Sequence, residues 1–200
     1  MNTILEIEKQ TGCQPQRFGF DDDEFFDFCQ QNDGLSFERD VQGNILVMPN
    51  TGGKTGQLNF ELIIEFGIWN RTNNFGVCFD SSTAFRLPSS AVRSPDVAFV
   101  IHQRWEALTA KEQRQFPPLC PDFVLELMSE TDDLKDARRK IQDEWIANGC
   151  LLAWLVFPAQ ETVYIYRQNG EIQIVTGFDK ILSGEDVLLG FELDLGKLKK

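Results

Sequence analysis

The sequence predicts an α/β (α+β) fold built on a mixed β-sheet, and three observations carry that prediction. From about residue 55 the apolar spacing orders as helix, strand, strand, strand, helix, strand. Residues 151–157, LLAWLVF, are apolar throughout, as expected of a strand covered on both faces. The chain has 200 residues, 42% hydrophobic and 25% charged, the mix of a globular protein able to bury one substantial core.

The elements follow in order. A helix is predicted over 22–32, capped by Asp21 or Asp22, with Phe25, Phe28 and Cys29 at helical spacing and Gly34 beyond its end. Its acidic cluster (Asp21, Asp22, Asp23, Glu24, Asp27) suits the positive end of a helix dipole. Residues 1–34 therefore read as an acidic helical extension packed on the core, and 35–200 as the main domain. The run LSFERDVQGNILVMP from Leu35 reads as a hairpin turning at Gln42-Gly43-Asn44. A helix over 55–73 places Leu58, Leu62, Glu65/Phe66 and Trp69 on one side. GVCFDSS from Gly76 and TAFRLP from Thr83 are extended. SPDVAFVI, 94–101, is a strand whose Pro95 is tolerated at its first position. A short helical insertion carries Trp105, Leu108 and Phe116, and Pro117 and Pro118 close it. DFVLELM, 122–128, is the next strand, followed by a helix over 133–148 that Gly149 stops. After the apolar strand, TVYIYR and EIQIV form a hairpin around Asn169-Gly170, and a short tail holds a few strand-like pieces.

Nineteen basic residues against 31 acidic ones give a net charge of −12. That argues against a protein that coats nucleic acid non-specifically, because such binding rests on neutralising phosphates. It leaves room for an enzyme with a local basic strip beside an acidic metal site. No apolar run approaches the roughly 20 residues that span a bilayer. The acidic N-terminus, MNTILEIEKQTGCQ, lacks the pattern of a secretory signal, so no membrane association and a cytoplasmic location are expected. Cys13, Cys29, Cys78, Cys120 and Cys150 are odd in number and widely spaced, which points to reduced thiols rather than disulfides or a zinc site. Nothing ties the single histidine, His102, to a cysteine. Gly53-Lys54-Thr55 resembles the end of a phosphate-binding loop, but that motif requires glycine at position 48, which is methionine.

Glu126 is the most informative residue. It lies amid Phe-Val-Leu-Glu-Leu-Met and shares its strand face with Val124 and Met128. A buried carboxylate persists when protonated, paired or bound to a metal. Glu126 therefore either reaches solvent or an arginine, or serves chemistry. Asp96, at the start of another apolar strand, offers a second carboxylate. Two such groups near one end of a sheet can hold a hard divalent cation, which prefers oxygen ligands. The following helix supplies cations in Lys135, Arg138, Arg139 and Lys140. Lys140 lies on the flank of its apolar face, and Arg138 lies on the opposite flank as an alternative phosphate contact. A plain surface ladder of Asp136, Lys140 and Glu144 is the competing account of the lysine.

Taken in order, MPNTGGKTG, NFELI, FDSSTAFRLP, SPDVAFV, PDFVLELMSETDD and KIQDEWIANGCLLAWLVFP resemble the Uma-two family, over about residues 35–195. That resemblance implies a restriction-endonuclease-like core of the PD-(D/E)XK type, in αβββαβ order, with the N-terminal helix and hairpin added. It implies that Asp96 is the aspartate of the PD motif and Glu126 the second acid. Position 128, where the motif has lysine, is methionine here, and Lys140 in the following helix matches the relocated lysine. Glu61, in the helix over 55–73, matches an acid often found beside the metal in this fold. From Lys140 to Gly149 the segment is one residue longer than the family pattern, a departure that bears on where Lys140 points.

The reading that follows is a magnesium- or manganese-dependent endonuclease acting on DNA. Asp96, Glu126 and the Leu127 carbonyl would hold the metal, Lys140 would assist the attacking water, and Glu61 would be accessory. Lys135, Arg138 and Arg139 would contact phosphates. The charge of −12 predicts weak, salt-sensitive DNA binding, or a protein partner that supplies the affinity. The alternative is an inactive nuclease fold serving as an oligomeric interaction module, and a third reading is a hydrolase of another phosphodiester such as RNA. Phe26, Trp105, Phe116 and Phe178 leave room for a homodimer interface.

Overall fold

The structure is a computed structural model and describes residues 19–199. Cys13 and the N-terminal part of the predicted extension lie outside the described residues. The first helix, α1 (Asp22–Gln31), is closed at its N-terminus by a capping box between Asp21 and Glu24. The hairpin β1 (Ser36–Arg39) and β2 (Ile45–Met48) follows, its turn using Gly43 at φ 83°. Helix α2 (Gly53–Asn73) starts two residues earlier than the periodicity suggests and buries Leu62, Phe66 and Trp69. Then come β3 (Gly76–Asp80), β4 (Phe85–Arg86), β5 (Val92–Arg93) and β6 (Val97–Ile101). The insertion folds as two short helices, α3 (His102–Glu106) and α4 (Ala110–Arg114). Strand β7 (Phe123–Leu127), helix α5 (Leu134–Arg139), β8 (Leu152–Phe157), β9 (Thr162–Arg167) and β10 (Ile172–Thr176) complete the order, with β11 (Ile181–Ser183) and β12 (Glu192–Asp194) in the tail.

Six strands form the central sheet in the order β10-β9-β8-β7-β6-β3. Only β7 and β8 run parallel, joined by the crossover through α5, so the sheet is mixed as expected. One face packs on α2 and the tail through Phe66, Phe99, Phe123, Trp154 and Phe191. The other packs on α5 and its continuation through Val124, Met128, Ile141, Trp145 and Leu155. The alternation read from β7 is therefore correct, since Phe123 and Leu125 face α2 while Val124 faces α5.

A second sheet, β2-β1-β5-β4, carries α1. Phe25 of α1 packs into Phe37, Ile45 and Val92, and Asp22 binds both Arg39 and Arg86. The predicted strand over 94–101 is thus shortened at its start. Val92 and Arg93 belong to the second sheet, Ser94 and Pro95 cross between the sheets, and β6 begins at Val97. Pro95 explains the break, because it has no N–H to give to a ladder.

The aromatics offered for a subunit interface have partners inside the chain. Phe178 is core, Trp105 packs on Phe79, and Phe116 packs on Phe25 and Phe26. Among the described residues no helix is long and apolar enough to cross a membrane.

Candidate active site

The last ladder pair between β6 and β7 is Val97 with Leu125. Continuing that register by one residue sets Asp96 opposite Glu126, on the α5 face of the sheet and in the closely spaced type of antiparallel pair. One residue further, Leu127 meets Pro95. The Leu127 amide turns to Asp96 Oδ2 at 2.7 Å, and its carbonyl has no Pro95 N–H to receive. Burial pushes the Asp96 carboxyl above the usual range, against the Leu127 hydrogen bond and the charge of Lys140. Burial, together with the charge of Asp96, pushes Glu126 up to about 7 against the pull of Lys140.

Lys140 is brought to this pair. Its Nζ lies 2.9 Å from Glu126 Oε1 and 3.6 Å from Glu38 Oε1. Burial works against its charge, but Glu126 and Glu38 hold its pKa above the usual lysine range. The predicted surface ladder does not form. Asp136 pairs with Arg139, and Glu144 pairs with Arg93. The helix expected over 133–148 is α-helical only to Arg139, π-helical over Lys140–Trp145 and 3-10 over Ile146–Asn148. A π turn begins at Lys140, and Lys140 is not rotated away from Glu126. The Trp145 indole also donates to Glu126 Oε1, at 2.7 Å.

Sequence reasoning missed a buried ion network beneath the lysine. Glu38 on β1 is 3% exposed and Arg93 on β5 is 5% exposed. Arg93 holds Glu38 at 3.0 Å and grips Glu144 with a second pair of contacts. Glu38 Oε1 also accepts the Ser94 amide at 3.0 Å. The available signal was weak: two opposite charges in the short strands SFER and VR, 55 residues apart.

Asp96, Glu126 and Lys140 open onto a cleft of about 740 Å³. Its walls include Asp96, Glu126, Leu127 and Lys140, the loop from Ser129 to Asp133, and the start of α2 at Gly52, Gly53 and Lys54. The glycine-lysine segment set aside as a nucleotide loop thus borders the site. Glu61 does not line the cleft, and its charge acts on Lys197, the partner of Glu65. Lys135, Arg138 and Arg139 do not line it either. Lys135 is exposed, Arg138 binds the Tyr166 hydroxyl and covers the Tyr164 ring, and Arg139 pairs with Asp136. The mouth is instead acidic, with Glu130, Asp132, Asp133 and Asp136.

Among the described residues no three His, Cys, Asp or Glu side chains group closely enough to hold a metal ion by themselves. Two facing carboxylates and a carbonyl without a ladder donor are a partial oxygen shell. Such a shell fits a hard cation that keeps several waters, and does not fit a fully protein-caged one.

Comparisons with known proteins bear on the family and the fold. A family model, Uma2, described as "Putative restriction endonuclease", matches residues 22–196. The fold is similar to a crystal structure from Anabaena variabilis ATCC 29413 titled a putative nuclease of DUF820. The TM-score is 0.69 at 18% identity, covering 82% of this chain and 89% of that one. No curated protein matches the chain.

Proposed function

From the premise that this chain belongs to the Uma-two family, we propose that it is a divalent-metal-dependent endonuclease hydrolysing DNA phosphodiester bonds. The observation that carries the reading is the convergence of Asp96, Glu126 and Lys140 on one cleft. The Asp96 and Glu126 carboxylates and the Leu127 carbonyl would hold Mg²⁺ or Mn²⁺. The cation would supply Lewis-acid activation of water and neutralise charge building on the phosphorus. Asp96 is kept in place by the Leu127 amide. Lys140 stands beside the carboxylates, where its ammonium would orient the attacking water and stabilise the pentavalent oxygen charge. Glu38, buried behind the cleft, would hold the Lys140 ammonium in place. Lys54 is the cation of the cleft wall suited to a phosphate. The acidic mouth makes DNA binding depend on the cation or on a partner protein.

The same acidity favours one second reading: a nuclease fold retained as an oligomeric interaction module, with −12 net charge keeping it off DNA. Calorimetric titration with Mn²⁺ separates the two. The endonuclease reading expects saturable binding that Asp96→Ala and Glu126→Ala abolish. Absence of binding to the wild type would overturn it.

A further inference from the structure

The nuclease reading uses Lys140 but gives no reason for the π turn that begins there. In an α-helix of 3.6 residues per turn, side chains five apart point roughly 140° away from each other. Lys140 and Trp145 are five apart, yet both reach the same oxygen of Glu126, at 2.9 and 2.7 Å. A π turn, closed by bonds to the fifth residue back, brings such residues onto nearly one face. Glu144, in the same turn, reaches Arg93 and through it Glu38. Three side chains of one six-residue turn therefore meet the site.

We infer that this π turn is a positioning device and that Trp145 is a positioning residue for Glu126, an inference that rests on the metal-binding role proposed for Glu126. The indole N–H is a donor only and carries no charge. It fixes Glu126 through Oε1, and among the described residues Oε2 takes no hydrogen bond. The carboxylate is thereby presented with one oxygen tied and one open toward the cleft. Lys140 shares Oε1 and is free to leave for water or phosphate, because Trp145 still holds the carboxylate when it does. Trp145 is fully buried against the sheet, so the donor does not wander.

The test is Mn²⁺ calorimetry on wild type, Trp145→Phe and Glu126→Ala, with thermal melts and plasmid cleavage beside it. Phenylalanine keeps the ring in the core and deletes the donor. The inference expects a folded Trp145→Phe that binds Mn²⁺ about ten- to a hundredfold more weakly. Excess Mn²⁺ should restore most of its cleavage, which a general packing defect would not allow. Mn²⁺ affinity within twofold of wild type would overturn the inference and leave the nuclease reading standing. No Mn²⁺ binding by the wild type would overturn the nuclease reading and the inference with it. If Trp145→Phe fails to fold, the assigned indole resonances of the wild type decide. On Mg²⁺ addition the Trp145 N–H should shift while that of Trp69, bound to the Leu189 carbonyl, stays. A Trp145 resonance unmoved as Mg²⁺ binds would overturn the inference.

Discussion

Asp96 and Glu126 face one another across β6 and β7, one residue beyond the last ladder pair, with no hydrogen bond between them. Two carboxylates in this relation repel, and burial raises the pKa of both. A carboxyl whose folded pKa lies above its unfolded value contributes stability that is complete below the unfolded pKa and is lost as pH rises through the folded one. For Glu126 that window runs from the ordinary glutamate value of 4.5 to about 7. Metal-free wild type should therefore lose stability relative to Glu126→Gln between pH 5 and pH 8, by a few kcal/mol. Saturating Mg²⁺ should recover it. Urea denaturation across that range reads both effects, and a difference that does not change with pH would contradict the assignment.

Arg93 is enclosed between Glu38 and Glu144, and its loss would leave Glu38 buried without its closest charge partner. Arg93→Ala should cost about 3–5 kcal/mol, the usual penalty for breaking a buried pair on one side. Arg93→Lys should recover little of it, because a single ammonium cannot span two carboxylates as a guanidinium does. Chemical denaturation of the two variants measures this.

The cleft mouth carries Glu130, Asp132, Asp133 and Asp136 against Lys54. Binding of a DNA duplex, followed by fluorescence anisotropy at low salt, should be undetectable in EDTA and appear with Ca²⁺, whose charge offsets the mouth. Lys54→Ala should weaken the Ca²⁺-dependent binding and lessen its salt dependence, as expected when one phosphate contact is lost.

Burial pushes the Cys78 thiol up to about 12. Alkylation of Cys78 at pH 8 should be slower by roughly a thousandfold than in urea, since the thiolate is the reactive form. Peptide mapping reads it residue by residue. Rapid labelling in the native state would contradict the packing of β3 against α2.

Much of the sheet was legible because its strands are short apolar runs bounded by breakers. The parity of β7 alone put Glu126 on the right face. Asp96 was legible as a residue, but its strand was not, because Pro95 marks a crossing between sheets that a local pattern reads as a strand start. The tie between Glu38, Arg93 and Glu144 was illegible for a related reason: it joins a hairpin, a two-residue strand and a helix through contacts that no periodicity encodes. Glu61 sits at helical spacing with residues that face the core, and spacing alone does not say which end of the sheet that helix reaches. The π turn was visible only as a length. The longer segment expected between Lys140 and Gly149 suggests rotation of the lysine when a pitch of 3.6 is assumed, whereas the helix changes pitch there. The phosphate contacts expected of α5 rested on charge without partners, and Tyr166 and Asp136 engage two of its three cations.

The measurement that tests the central claim most directly is plasmid nicking at low salt in Mg²⁺ and in Mn²⁺, with wild type and Glu126→Ala purified side by side. The account predicts nicking by the wild type that stops in EDTA and is lost in Glu126→Ala. Equal nicking by both proteins, or none by a wild type that has bound its metal, would contradict it.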